Sequence, residues 1–178
     1  MDDLSGKTVL IMASDGFEEV ELTGPRKALS DAGAKVVIAA PDLKPIQARV
    51  EDEPTILVQP DIRIEDAQEG DYDALVLPGG VINPDHLRTN ETAVDLIKAF
   101  DKAQKPLAAI CHGPWLLVEA DVVKDRTVTS WPSIRTDLRN AGGNVVDEPA
   151  AVDGHLITSR NPDDVPDFNA AIARALTA

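Results

Sequence analysis

Short apolar runs that stop abruptly at turn signals constrain the fold of this chain more than any other feature. Thr8-Val-Leu-Ile-Met-Ala13 runs into Ser14-Asp-Gly16, Tyr72-Asp-Ala-Leu-Val-Leu-Pro78 into Gly79-Gly80, and Leu107-Ala-Ala-Ile110 into Cys111-His-Gly113, with Lys35-Val-Val-Ile-Ala-Ala40 a further run of the same kind. Continuous rather than alternating hydrophobicity marks strands buried on both faces, as in a parallel sheet covered by helices. The intervening segments have helical spacing. Phe17 to Asp31 carries Val20, Leu22, Ala28 and Leu29, and Glu91 to Gln104 carries Ala93, Val94, Ile97 and Phe100. The pattern predicts an α/β fold with a doubly wound, mostly parallel sheet flanked by helices, in which ligands bind at the carboxyl ends of the strands.

The first helix is expected to be interrupted or kinked near Gly24-Pro25 and stopped by Gly33, because proline removes a helical hydrogen bond. Thr55-Ile-Leu-Val58 reads as part of an edge hairpin beside the main sheet, and the acidic stretch Ile62 to Gly70 as a solvated connector. Thr127-Val-Thr129 is a short strand, and Ser133 to Asn140 a helix stopped by Ala141-Gly-Gly143. Ala151-Val152 and Leu156-Ile-Thr158 form a hairpin about Asp153-Gly154. Val165 to Leu176 is an amphipathic helix with Asp163 or Asp164 as N-cap. No internal repeat or linker divides the chain, so residues 1–178 are expected to form one domain; 178 residues suffice for a sizeable core.

Composition narrows the function classes. Aromatic residues make up only 3% of the chain, so the core must rest on Val, Ile, Leu and Ala. A net charge of -14 argues against charge-driven nucleic-acid binding and against anionic membranes. Met1-Asp-Asp-Leu-Ser5 is acidic where a secretory signal would be basic and then apolar, and no run is long enough for a membrane span. The one cysteine permits no intrachain disulfide, which suits a reducing cytoplasm. Three histidines and one cysteine, scattered, suggest no metal site, and no dinucleotide or phosphate fingerprint points to a cofactor.

That cysteine is the candidate nucleophile. Cys111 ends a buried strand, and His112-Gly113-Pro114 opens the segment Trp115-Leu-Leu-Val118, which reads as a helix. Strand, tight turn and helix N-terminus meeting at one residue is the logic of a nucleophile elbow, with small Ala109 and Gly113 two residues to either side. Such a turn pushes the sulfur out of the sheet, and the helix N-terminus favours its thiolate. His112 then pairs with the sulfur or orients a substrate. The competing reading is a buried, inert thiol at the end of a core strand.

Asp15-Gly-Phe-Glu-Glu-Val-Glu-Leu22, Leu77-Pro-Gly-Gly80, Ala109-Ile-Cys-His-Gly-Pro114 and Thr129-Ser-Trp-Pro-Ser-Ile-Arg135 together resemble the PfpI family. That family includes intracellular protease I and the protein deglycases, within the flavodoxin-like, class I glutamine-amidotransferase-like superfold. The resemblance runs from Thr8 to about Arg160 with the motifs in order. It implies that Cys111 is the nucleophile, that Glu18 lies against the sulfur, and that the backbone N–H groups of Gly80 and His112 form an oxyanion pocket. A carboxyl beside a thiolate disfavours double ionisation, so Glu18 is expected to be protonated and to titrate as a unit with Cys111. Glu19 and Glu21 are read as charges matching the helix dipole.

In protease-I-like members a neighbouring subunit supplies the acid that orients the histidine. The matching position here is Asp85 in Val81-Ile-Asn-Pro-Asp-His86; the alternative is that Asp85 caps a short turn. His86 is read as surface and His155 as solvated and partnerless. Trp131 falls in the loop that faces the elbow and would wall the pocket, although it and Trp115 are equally well explained as packing.

The resemblance implies a cytoplasmic, stress-response cysteine hydrolase with no cofactor, active as a homodimer or larger homo-oligomer. Its substrates would be small carbonyl adducts, as in a deglycase or glyoxalase-like reaction, or peptides. The stretch from Thr129 to Gly143 resembles the deglycase branch more than the protease. A non-enzymatic oxidative-stress sensor that uses Cys111 is the competing class.

Overall fold

The computed structural model describes residues 3–178 and is built from β1 (Thr8–Met12), β2 (Phe17–Glu18), α1 (Glu19–Asp31), β3 (Lys35–Ala40), β4 (Ile46–Val50), β5 (Glu53–Val58), β6 (Ile62–Arg63), β7 (Ala74–Leu77), α2 (Ile82–Leu87), α3 (Glu91–Lys102), β8 (Leu107–Ile110), α4 (Pro114–Glu119), β9 (Thr127–Val128), α5 (Arg135–Asn140), β10 (Asn144–Val145), β11 (Ala150–Asp153), β12 (Leu156–Ser159) and α6 (Val165–Thr177), with short 3-10 turns between some of them. Met1 and Asp2, where the acidic N-terminus begins, lie outside the described residues.

The main sheet has seven strands in the order β11-β12-β8-β7-β1-β3-β6. Every neighbouring pair in it is parallel except the β11–β12 hairpin. The apolar runs behave as their composition demands: β7, β8 and β12 are buried throughout. One face of the sheet packs on α1 and α6 through Leu22, Leu29, Phe168 and Ile172. The other packs on α3, α4 and α5 through Ile97, Phe100, Leu116 and Leu138. Each such side chain, fully removed from water, contributes about 1.5–3 kcal/mol. Strand order reverses between β1 and β7, and a cleft opens at that switch point, at the carboxyl ends of β1, β7 and β8.

Several local expectations change. Helix α1 runs unbroken through Pro25, and Gly24 serves packing: a Cβ there would lie 2.7 Å from Val165 Cγ1 on α6. The stretch after residue 61 is not merely a solvated connector. Ile62–Arg63 forms the outer strand β6 against β3, and Ile64 is buried. At the head of α6, Asp164 holds the expected N-cap position, but neither acid caps the helix with its side chain. The Asp164 carboxylate takes two bonds from the Arg160 guanidinium at 2.7 and 3.0 Å, while Asn161 accepts from the Asp163 N–H. The expected edge hairpin is β4–β5, which pairs with β2 in a small three-stranded sheet beside the cleft.

Candidate active site

Cys111 follows β8 directly and adopts φ 63°, a left-handed conformation that costs a non-glycine residue about 1–2 kcal/mol. The turn is held on all sides. The Cys111 N–H donates to Ser159 O at 3.0 Å, and its carbonyl accepts the Trp131 N–H at 2.9 Å. So well-anchored a turn holds Cys111 at the floor of the cleft, where it is buried at 6% exposure and packs against the core. The following helix α4 is only six residues long, so its dipole is a smaller influence on the thiol than a long helix would provide.

Main-chain N–H groups meet the sulfur from two loops: those of Gly80 and His112 both donate toward Cys111 Sγ. Gly80 has φ 74°, and a Cβ there would lie 2.3 Å from Gly16 O, so only glycine lets this turn close against the loop after β1. Asn83, buried in α2, fastens the two loops together. Its side chain accepts the Ser14 N–H at 2.7 Å and donates to Pro78 O and Gly79 O, each at 3.0 Å. Sequence reading passed over Asn83; an asparagine placed three residues after a Gly-Gly turn was the available signal.

The acid at the sulfur is Glu21, not Glu18. Glu21 is fully buried in the first turns of α1, with Oε2 accepting the Gly79 N–H at 2.8 Å. The carboxyl shares a side-chain hydrogen bond with Cys111, and among the described residues its Oε1 has no partner other than that thiol. Glu18 instead occupies the N-cap position with extended backbone (ψ 123°) and takes a bond from the Glu51 N–H at the cleft rim. Glu18 ends β2 in extended backbone before α1 begins at Glu19, so its side chain does not follow the helical register that turns Glu21 inward. The signal for Glu21 was its helical register: with Leu22, Pro25 and Leu29 it lies on the buried face of α1. A carboxyl on an apolar face is a site candidate.

Burial pushes the Glu21 carboxyl up to about 8, against the pull of the Gly79 N–H and helped by the charge of Glu18. Burial, and then the charge of Glu21, also push the Cys111 thiol up, while the Gly80 and His112 amides pull it down. The pair therefore holds one negative charge far more readily than two. A protonated Glu21 removes the repulsion, after which burial still raises the thiol and the two amides still lower it.

His112 is buried, and desolvation lowers its pKa, so the imidazole is neutral near pH 7. Its Nδ1 lies 3.2 Å from Cys111 Sγ and its Nε2 lies 3.3 Å from Ser133 Oγ. The ring stacks on Trp131 at a centroid distance of 6.0 Å and meets the edge of Trp115 at 5.3 Å. Trp131 walls the cleft. Trp115 does not; its indole N–H donates to Asp137 at 2.8 Å, and Arg88 lies over its ring.

Asp85 is exposed on α2, and within this chain it is not brought to His112, whose ring nitrogens face Cys111 and Ser133. His155 is neither solvated nor partnerless: its Nε2 lies 2.8 Å from Asp101 Oδ1, a carboxylate that Arg126 also approaches. Among the described residues no cluster of three or more His, Cys, Asp or Glu could hold a metal ion, and no helix is long and apolar enough to cross a membrane.

A mostly parallel, doubly wound sheet carrying a strained cysteine at its switch point, with a buried acid beside it, defines a class of flavodoxin-like cysteine proteins. The sequence matches the model of the DJ-1/PfpI family over residues 7–175, and the chain belongs to that family. It is 43% identical over 175 residues to an uncharacterized protein of Staphylococcus epidermidis, covering 97% of this chain and 99% of that protein. It is 45% identical over 168 residues to an uncharacterized protein of Archaeoglobus fulgidus, covering 94% of this chain and 97% of the relative. Among solved structures, Drosophila melanogaster DJ-1beta superposes with a TM-score of 0.87 at 29% identity, covering 99% of this chain and 91% of that one. A two-domain protein of Anabaena variabilis with DJ-1/ThiJ/PfpI-like and ferritin-like domains gives a TM-score of 0.92 at 33% identity; the match covers 96% of this chain and 48% of that one.

Proposed function

We propose that this chain is a cysteine-dependent enzyme acting on activated carbonyls, of the protein deglycase or glyoxalase-like kind, with Cys111 as nucleophile. The observation that carries the reading is the convergence of three features on one sulfur: a strained elbow backbone, two donating main-chain amides, and a buried carboxyl raised to about 8. His112 Nδ1, neutral and 3.2 Å away, accepts the thiol proton as the sulfur attacks the carbonyl carbon. The Gly80 and His112 N–H groups hold the negative charge that moves between sulfur and oxygen, and protonated Glu21 avoids opposing it. For a methylglyoxal adduct, the amine or thiol carrier leaves and a hemithioacetal stays on Cys111. A proton shift from the first carbon to the second converts this to a thioester, which water cleaves to a hydroxy acid and the free thiol. No external oxidant or cofactor enters the balance.

Peptidase chemistry is less well supported, because a protease-type triad needs an acid on His112 and Nε2 faces Ser133 instead. It would require a partner subunit to supply one, as a homodimer or larger assembly could. A redox-sensor role is favoured by one specific observation: the Glu21 carboxyl bonds the chain's single cysteine and its Oε1 has no other partner among the described residues, so the protonated carboxyl could donate to an oxidised sulfur.

The deciding experiment measures turnover of methylglyoxal and of methylglyoxal-treated N-acetyl-arginine by wild type, Cys111→Ser and Glu21→Gln, with the mass of Cys111 followed in parallel. Many turnovers per thiol, lost in Cys111→Ser, support the enzyme. No turnover, with rapid stoichiometric oxidation by dilute peroxide, leaves the sensor reading in its place.

A further inference from the structure

The cleft above Cys111 has a volume of about 800 Å³, and its charged lining is of one sign. Glu18, Glu19, Glu51 and Asp52 form the rim on the side of α1 and the β4–β5 turn, and no lysine or arginine lines the cleft. Among the described residues none of these carboxylates makes an ion pair. Arg49 stands opposite Glu18 in the β2–β4 register, but its guanidinium bonds the Asp52 carbonyl instead. The carboxylates are near enough to feel one another: Glu18 is raised by burial first and then by the charges of Glu19 and Glu51.

Two further observations indicate that the rim faces a ligand rather than open water. Glu21, fully buried at the floor of the same cleft, leaves Oε1 with no partner among the described residues other than the Cys111 thiol, the group a ligand would reach. The walls between floor and rim are apolar and exposed, with Val20 at 39%, Val50 at 47%, Val81 at 54% and Trp131 at 38% accessibility. An apolar wall below an unneutralised acidic rim suits a molecule with an aliphatic stem, a cationic head and a reactive end that reaches the sulfur.

We infer that this cleft is a charge filter, admitting carbonyl compounds that carry a positive group on a short aliphatic stem and turning away those that carry a carboxylate or phosphate. Rim carboxylates raise the local concentration of cations and lower that of anions, and the effect grows where apolar walls exclude water. Neutral methylglyoxal passes without preference; its amine- and guanidine-bearing adducts are favoured over its adducts with anionic thiols. The inference rests on Cys111 being the reacting group, as proposed above, but not on which reaction follows.

The test uses matched thiol reagents, so that it does not depend on turnover. Cationic trimethylammonium-ethyl and anionic sulfonato-ethyl methanethiosulfonate each give a mixed disulfide as the Cys111 sulfur bonds the sulfenyl sulfur and methanesulfinate departs. The ratio of their second-order rate constants is divided by the same ratio for 2-mercaptoethanol, which removes intrinsic reactivity. The expected normalised preference for the cation is about tenfold or more at low salt. It should shrink toward unity in about 1 M salt, where the screening length is about 3 Å. It should also collapse in the triple variant Glu19→Gln, Glu51→Gln, Asp52→Asn. A normalised ratio near one in wild type, or one unmoved by salt, overturns the filter without any variant having to fold. Turnover of cationic against anionic carbonyl adducts is measured alongside. Absence of all turnover with the reagent preference intact supports the filter and removes only the enzymatic reading.

Discussion

Glu21 and Cys111 meet across Gly79, which leaves no room between them. A Cβ on residue 79 would stand 2.6 Å from Glu21 Oε2, 2.7 Å from Cys111 Cβ and 2.8 Å from Ile110 O. The Gly79 N–H holds the carboxyl at 2.8 Å, so one glycine both spaces and fastens the pair. This arrangement couples a helix, a turn and a strand end at one point, and it makes the titration of Glu21 the property most open to measurement.

Glu21→Gln should change the pH dependence of the site and of the fold together. The folded pKa of Glu21 is raised from 4.5 to about 8, so its contribution to stability is fully present below its unfolded value and is lost as pH rises through about 8. Wild type should therefore lose stability relative to Glu21→Gln between about pH 4.5 and pH 8, by an amount on the order of a few kcal/mol, and no further above that. Melting temperatures of both proteins across this range check the sign. In the same variant the alkylation rate of Cys111 should lose its inflection near pH 8. Glu18→Gln should retain that inflection, because Glu18 bonds the Glu51 N–H at the rim and not the sulfur.

Gly79→Ala should damage both stability and reactivity. The clashing atoms are backbone and buried groups that cannot swing aside, so the overpacking cost is about 1–3 kcal/mol or more. Denaturant midpoints give the stability change. If the carboxyl is pushed away from the sulfur, the two groups decouple, and thiol titration should approach that of Glu21→Gln.

Residues whose burial follows from local pattern were legible in the sequence. The runs Val9 to Met12, Leu75 to Leu77 and Leu107 to Ile110 could only be buried strands, and Cys111-His112-Gly113 could only be a turn between strand and helix. Gly79-Gly80 carried its own signal as a strand-ending turn. What was not legible depended on helical register near an irregular start. Glu18, Glu19 and Glu21 look alike in sequence, and β2 ends only at Glu18, so which acid faces inward depends on where α1 begins. Pro25 suggested an interruption, but α1 is one continuous helix through it, with Gly24 closely packed against Val165. The His155–Asp101 contact joins residues 54 apart in sequence, a separation no local pattern reports.

Asp85→Asn should leave the alkylation rate of Cys111 within about twofold in a protein diluted to monomer, since the exposed Asp85 does not reach His112 inside the chain. Ser133→Ala should have the larger effect there, because it removes the neighbour of His112 Nε2; a side-chain hydrogen bond of this kind is worth about 0.5–1.5 kcal/mol. Rates measured over a range of protein concentration give the comparison. A loss of tenfold or more in Asp85→Asn that appears only in concentrated protein would place Asp85 in a neighbouring subunit's site.

Backbone strain at the elbow provides the remaining prediction. Cys111 holds φ 63° in a position 6% exposed, fixed by hydrogen bonds to Ser159 and Trp131. Replacing it with alanine removes the sulfur but keeps the Cβ penalty of the left-handed conformation, whereas glycine removes both. In ordinary strand or helix positions glycine is less stable than alanine by about 0.5–1 kcal/mol. Here the order should invert, with Cys111→Gly more stable than Cys111→Ala by about 1 kcal/mol in paired denaturant titrations. Both variants should be inactive. If both also exceed wild type in stability at pH 9 and less so at pH 6, the excess comes from releasing Glu21 from its coupling to the thiol, because a lone buried carboxyl ionises more readily than one facing a thiolate. If alanine proves the more stable of the two at every pH, the elbow carries no backbone strain in solution, and the placement of the sulfur must come from the hydrogen bonds to Ser159 and Trp131 and from the Gly80 and His112 amides.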